Sequence, residues 1–295
     1  MKISFSTLLT LTIVFFSLSA AAQEHEYELD ESYSISDGAT IHLNSNDASV
    51  TIRGSDREDV HLTVYRKVVI DGDLDKEDRF KVGVKERNGD LYIKERSEQT
   101  QSGWFSSISI DEKEYRITIE TPKNISLDID GDDDQYHIMD IAGNVNLSAD
   151  DTDVNLQRIG GQQFVFEIDD GTIRLDEGRG DLELDMDDGQ FSVERADFNS
   201  IKAQADDGRF DITSSLSSNG RYEFGMDDGD LHFSVAKGGG TFRIRHDDAS
   251  IDTDGSFKFL SQESEEYTEL GLDGGNAQVE IQTDDGLIKL NRSNK

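Results

Sequence analysis

One short unit recurs along most of this sequence, and any fold must accommodate its repetition. Its clearest copy is residues 164–175, FVFEIDDGTIRL. With Asp170 as zero, apolar residues fall at −6, −4 and −2 (Phe164, Phe166, Ile168) and at +3 and +5 (Ile173, Leu175). That alternation is the period of a strand with one buried face. It is broken by Asp-Asp-Gly, whose glycine can adopt the positive φ of a sharp turn. The same register centred on Asp188 selects Leu182, Leu184, Met186, Phe191 and Val193. Centred on Asp207 it selects Ile201, Ala203, Ala205, Phe210 and Ile212, and on Asp228, Tyr222, Phe224, Met226, Leu231 and Phe233.

The centres Asp133, Asp151, Asp170, Asp188, Asp207, Asp228 and Asp248 are spaced by 18, 19, 18, 19, 21 and 20 residues. A first copy stands at Asp47 and a last at Asp285, after a break over 254–278 that holds an insertion around 261–266. Residues 23–40 read as a lead-in strand or loop. Residues 53–120 read as longer strands at 60–64, 68–70, 80–84, 91–93 and 115–119, the last closed by Pro122, the only proline. A persistent period near twenty predicts a stacked repeat, because one unit has too little apolar surface to fold alone. The chain is therefore expected to be all-β, a β-solenoid with rungs of 18–21 residues. The alternative is a β-meander or sandwich of hairpins, since −2 and +3 are symmetric about an Asp-Gly turn. That arrangement needs a second layer over its apolar face, and no helical pattern is present to supply one.

Lys2, the apolar run 8–18 and Ala20-Ala21-Ala22 read as a signal peptide cleaved before Gln23. No later stretch is apolar enough to span a bilayer. The expected organisation is thus 1–22 signal peptide, 23–120 N-terminal β region with the first repeat, 121–255 regular repeats, and 256–295 irregular segment with the last repeat. The chain has no cysteine, which excludes disulfides, thiolate metal sites and a lipidated N-terminal Cys. Its formal charge is −34, one unit more negative without residues 1–22, which hold one Lys and no acid. Nucleic acid and anionic membrane are poor partners for such a charge.

Taken together, these pieces resemble the bacterial putative-adhesin family, a domain of unknown function. The matching residues are Val50-Thr51-Ile52-Arg53-Gly54 with Asp59-Val60, then 115–119 with Pro122-Lys123-Asn124. The turn-Gly-x-apolar-x-apolar rungs follow, and Gly286-Leu287-Ile288-Lys289-Leu290 closes the run. The likeness covers about residues 40–292. It implies a right-handed β-helix and a role at the envelope or surface, in the periplasm, on the cell or secreted. Partners implied are an envelope or surface glycan or protein. Rungs of the family more often carry Ser, Asn or Gly at the turn, so the repeated Asp-Asp is a departure.

If the rungs stack, Asp151, Asp170, Asp188, Asp207, Asp228 and Asp248 form one column, with the preceding aspartates in a second. Like charges ~4.8 Å apart repel even through water. Arg174, Arg209, Arg243 and Arg245 are candidates to screen them. Ca²⁺ or another hard divalent cation is the candidate ligand, since it prefers carboxylate oxygens. The competing reading is that these are turn residues bonded to their own backbone or solvated. Asp128-x-Asp130-x-Asp132 resembles the start of an EF loop, but Asp133 stands where that loop needs glycine. His137 and His232 lie too many rungs apart to share a metal, and His246 reads as a core or rim residue. No metalloprotease, nucleophile-elbow or phosphate-loop motif occurs. Function is thus expected to be non-catalytic. A carbohydrate-active β-helix enzyme acting on a polysaccharide is the alternative, and a periplasmic cation buffer a third reading. Trp104-Phe105 reads as a flap over the open end or as an aromatic platform.

Overall fold

The alternation is satisfied by strands stacked across the copies, not by hairpins within them. The computed structural model describes residues 23–71, 80–96, 109–264 and 266–293, and every regular element among them is a β-strand. In chain order these are β1 (Gln23–Ser34), β2 (Thr40–Asn44), β3 (Ser49–Ser55), β4 (Asp59–Asp71), β5 (Lys81–Arg87) and β6 (Asp90–Arg96). There follow β7 (Ser109–Pro122), β8 (Ser126–Gly131), β9 (Gln135–Met139), β10 (Val145–Ile159), β11 (Gln163–Ser214) and β12 (Arg221–Val235). The last are β13 (Gly240–His246), β14 (Ser250–Thr253), β15 (Phe257–Ser264), β16 (Tyr267–Leu272) and β17 (Ala277–Arg292). The expected leader and the Trp104-Phe105 pair lie outside the described residues.

Successive copies pair in parallel. Leu147 of β10 faces Ile129 of β8, and Leu156 faces Ile138 of β9. On its other side β10 sets Val145 opposite Phe164 and Leu156 opposite Leu175 of β11. The end of β11 sets Ile201 opposite Tyr222 and Phe210 opposite Leu231 of β12. This parallel register overturns the meander alternative, whose arms would pair antiparallel across each turn. The inward residues picked out by the alternation, from Phe164 to Phe233, are all buried. Phe224 and Phe233 meet across one rung at 5.2 Å between centroids, and Phe191 packs edge-on against Phe210 at 6.1 Å. Each such side chain contributes roughly 1.5–3 kcal/mol on burial, in a chain without disulfides.

Two corners turn each regular rung. At the first, the glycines of Asp-Asp-Gly stack so closely that a Cβ on Gly171, Gly189 or Gly286 would overlap the carbonyl oxygen of Thr152, Gly171 or Gly229 respectively. Close approach adds to the φ of +139° at Gly189 in excluding other residues. At the second corner the left-handed conformation falls on Asp140, Arg158, Glu177 and Arg195, one per rung. There Arg158 reaches back to the Asp140 carboxylate through bonds of 2.7 and 2.9 Å.

Spatial order departs from chain order at both ends. β17 lies between β12 on one side and β13 with β14 on the other. The β2–β3 rung lies between β6 with β7 and β8 with β9. Antiparallel strands then finish each end: β1–β4–β7 and β5–β6 at one, β13–β16–β15 at the other. The stretch that breaks the period, 254–278, is therefore largely the β15–β16 pair. It breaks the period because an antiparallel cap has no rung register to keep. The reading of separate strands at 60–64 and 68–70 is also corrected, since both belong to β4, which carries one register shift at Lys67/Val68.

Gly189→Ala is expected to lower unfolding free energy by about 2 kcal/mol or more in urea titrations. Gly160→Ala, where nothing lies within 4 Å of the added Cβ, should leave it within about 0.5 kcal/mol.

Candidate functional site

The corner aspartates face each other from rung to rung. Asp151 is opposite Asp170, Asp207 opposite Asp228, and Asp228 opposite Asp285. Asp188 lies close enough to Asp170 to act on its ionisation. Asp248 is not the neighbour of Asp228, as the linear repeat suggested. It lies beyond the Asp285 copy, where the amides of Asp247 and Asp248 donate to the Asp284 carbonyl at 3.2 and 2.9 Å. The column thus gains Asp285, a residue the spacing argument had set apart, because β17 is intercalated. All of its carboxylates are exposed.

Electrostatically the corner differs from the flanking arms. Along the arms, some outward acids find partners one rung away. Asn146 donates to Asp128 at 2.9 Å across 18 residues, and Lys202 to Glu183 at 2.7 Å across 19. At the corner, acids face only acids. Loss of hydration, then the charges of neighbouring aspartates, hold the carboxyls of Asp132, Asp170, Asp206 and Asp228 above the usual range. The arginines expected to screen them are placed elsewhere. Arg209 grips Asp211 at 2.7 and 3.0 Å, Arg243 bonds Gln278 at 2.7 Å, and Arg245 lies over the Tyr267 ring. Arg174, opposite Asn155, makes no ion pair among the described residues.

Among the described residues no three His, Asp or Glu side chains converge as a metal cage. His232 is held 3.0 Å from Asp211 and 2.9 Å from Arg209. His137 is exposed on β9, and His246 is half-buried opposite Thr283. Asp128 and Asp130 stand on the outer face of β8, bonded to His42 at 2.7 Å and Asn44 at 2.9 Å. Asp134, next in that acidic run, is buried and accepts from Tyr136 (2.6 Å), Ser45 (2.9 Å) and the amides of Ala48 (2.6 Å) and Asp132 (3.3 Å). Burial holds its pKa above the usual value despite those donors. The comparison of this run with an EF loop did not single out Asp134; the signal available was its position at +1, which Ala48 and Thr152 also occupy as buried residues. Sequence reasoning also missed a ring stack of His42 on Tyr92, with centroids 4.3 Å apart. Those two residues are far apart in the chain and meet only because β2 inserts beside β6.

A parallel stack of two-cornered rungs, capped by antiparallel strands and bearing one unscreened acidic edge, defines an all-β solenoid-like protein. The chain belongs to the Toastrack DUF4097 family, whose model matches residues 39–291. No curated protein matches it. Among solved structures it is similar to a putative cell adhesion protein from Clostridium sporogenes at 12% identity, covering 91% of this chain and 100% of that one, with a TM-score of 0.28. A putative adhesin from Parabacteroides distasonis gives 10% identity, 90% and 97% coverage and a TM-score of 0.43. A putative lipid binding protein from the same organism gives 13%, 90%, 96% and 0.29. At such TM-scores these likenesses say nothing of what this chain binds.

A carboxyl held above its ordinary pKa binds a proton that the unfolded chain does not. The fold should then gain stability as pH falls from neutral through that raised value. Asp140, Asp211 and Asp254 are held low by Arg158, Arg209 and the Arg292 amide, and lose their contribution only below the ordinary Asp range. The melting temperature is expected to rise between neutral pH and about pH 5, then fall below about pH 3.5, in calorimetry at constant ionic strength. Asp134→Ala, which strands buried donors, should cost about 3 kcal/mol in denaturant titration.

Proposed function

We propose that this chain is an exported, non-catalytic binding and structural module of the cell envelope or surface, and that its acidic edge takes up Ca²⁺ or another hard divalent cation. The observation that carries this reading is the exposed carboxylate column, repeated rung after rung with no Lys or Arg paired to it among the described residues. Cations relieve such a line of charge as a whole, without a preformed cage at any one rung. Export rests on the leader read in residues 1–22. A right-handed coil is the sense that parallel strand crossovers favour.

The enzyme alternative needs two carboxyls whose environments push their pKa values apart. Here the shifted acids of the Asp-Asp-Gly corner all move the same way. That uniformity is what a repeated turn produces and argues against a single acid–base pair.

Thermal unfolding in EDTA, in millimolar Ca²⁺ or Mg²⁺, and in NaCl of matched ionic strength tests the cation role. A rise of at least about 3 °C beyond the NaCl control is expected. No excess over NaCl would return the aspartates to plain turn residues. Incubation with acidic polysaccharides should leave their chain length unchanged, and shortening would overturn the non-catalytic reading.

A further inference from the structure

The outer face shared by β5, β6, β2 and β8 carries a groove of about 650 Å³. At its centre is the ring stack: His42 on β2 and Tyr92 on β6 stand in register, their planes 6° apart. The Asp128 carboxylate, 2.7 Å from His42 Nδ1, fixes the imidazole from the β8 side. On the other side stand Lys85 and Arg87 from β5 and Lys94 and Arg96 from β6. Lys85 is directly opposite Tyr92, and Lys94 opposite Gly83, which contributes no side chain.

Charge in this groove is unbalanced in an unexpected direction. Its acids are already engaged. Glu86 accepts the Ser34 amide at 3.0 Å, Asp128 holds His42 and Asn146, and Asp130 accepts from Asn44 at 2.9 Å. Its four cations make no ion pair among the described residues. In a chain of 63 acids against 29 bases, internal partners for Lys and Arg are abundant. Four cations converging without one leave a site that an external anion completes.

We propose that this groove binds an acidic saccharide, a glycan unit carrying a hexuronate carboxylate. The sugar ring packs against the Tyr92–His42 stack, its carboxylate meets Lys85, Lys94 and Arg96, and its hydroxyls bond Asn44 and the outer carboxylate oxygens. An acidic peptide fits less well: β2 and β6 each pair on both sides, so a peptide adding as a strand could pair only along the outer edge of β5, two strands away from His42. An anionic bilayer would face the charge of the whole protein. A glycan unit inside the groove lies within a Debye length, about 8 Å, of the four cations. The inference rests on the surface-binding reading above and gives it a ligand class.

The test is calorimetric titration of the full chain with tri-galacturonate at physiological salt, beside maltotriose, poly-glutamate and phosphatidylglycerol vesicles. Tri-galacturonate should bind at least tenfold more tightly than maltotriose. The double variant Lys85→Glu/Lys94→Glu should lose at least tenfold, and Tyr92→Ala at least fivefold. Lys85 and Lys94 are exposed, and an unchanged melting temperature verifies that the double variant folds. Absence of tri-galacturonate binding, or equal binding by the double variant, overturns the proposal. So does binding of poly-glutamate or vesicles as tight as that of the sugar. Adhesion of the chain to envelope preparations separates the two readings. If it adheres and the double variant adheres equally, the ligand assignment falls and the surface role stands. If it binds the sugar yet does not adhere, the groove stands and the surface role falls.

Discussion

Parallel stacking at a spacing of ~4.8 Å makes each residue the neighbour of its equivalent in the next copy. Whatever the unit carries, the stack presents as a column. An inward Phe becomes a continuous apolar wall, which is how a period near twenty yields a core without helices or disulfides. A corner glycine becomes a point where one backbone touches the next, so the residue type is enforced by the rung above as much as by its own φ. A corner aspartate becomes a line of like charge. The same geometry thus supplies the stability and imposes the electrostatic cost.

That cost is tolerated at the corner and avoided on the arms. Outward arm positions vary from copy to copy, so that Asn meets Asp and Lys meets Glu across the rungs. The corner positions do not vary from Asp169 through Asp228, where no opposite charge from a neighbouring rung meets them. A turn that needed only polar residues could have used Asn or Ser. Carrying carboxylates against mutual repulsion is the feature that the proposed cation role would explain and the turn role alone does not.

Local alternation was enough to read the regular part of the fold. Inward positions such as Phe164, Leu184, Phe210 and Phe233 are defined within a dozen residues of each Asp-Asp-Gly, and a period-two pattern survives whatever pairs with it. Strand order at the ends was not legible, because nothing within β17 says that it will sit between β12 and β13. Copies of one repeat present equivalent edges, so the choice among them is made by the caps. The same limit applies to the sites. The acid column was visible because it is a repeat. The His42–Tyr92 stack was not, because an insertion of β2 beside β6 creates it from two unremarkable residues.

The two sites then divide the molecule by charge. The column runs along the rung stack, while four Lys and Arg without ion pairs among the described residues gather at the end where the repeat gives way to the β5–β6 pair. Repetition explains the asymmetry. Within the stack, outward cations such as Lys202 and Arg158 lie beside the acids of adjacent copies and are neutralised, though Arg174, opposite Asn155, is not. β5 pairs with β6 alone, so its outer side chains have a neighbouring strand on only one side. A cluster of four cations without ion pairs survives where the repeat stops, and that makes the irregular end the place where this protein can distinguish one anion from another.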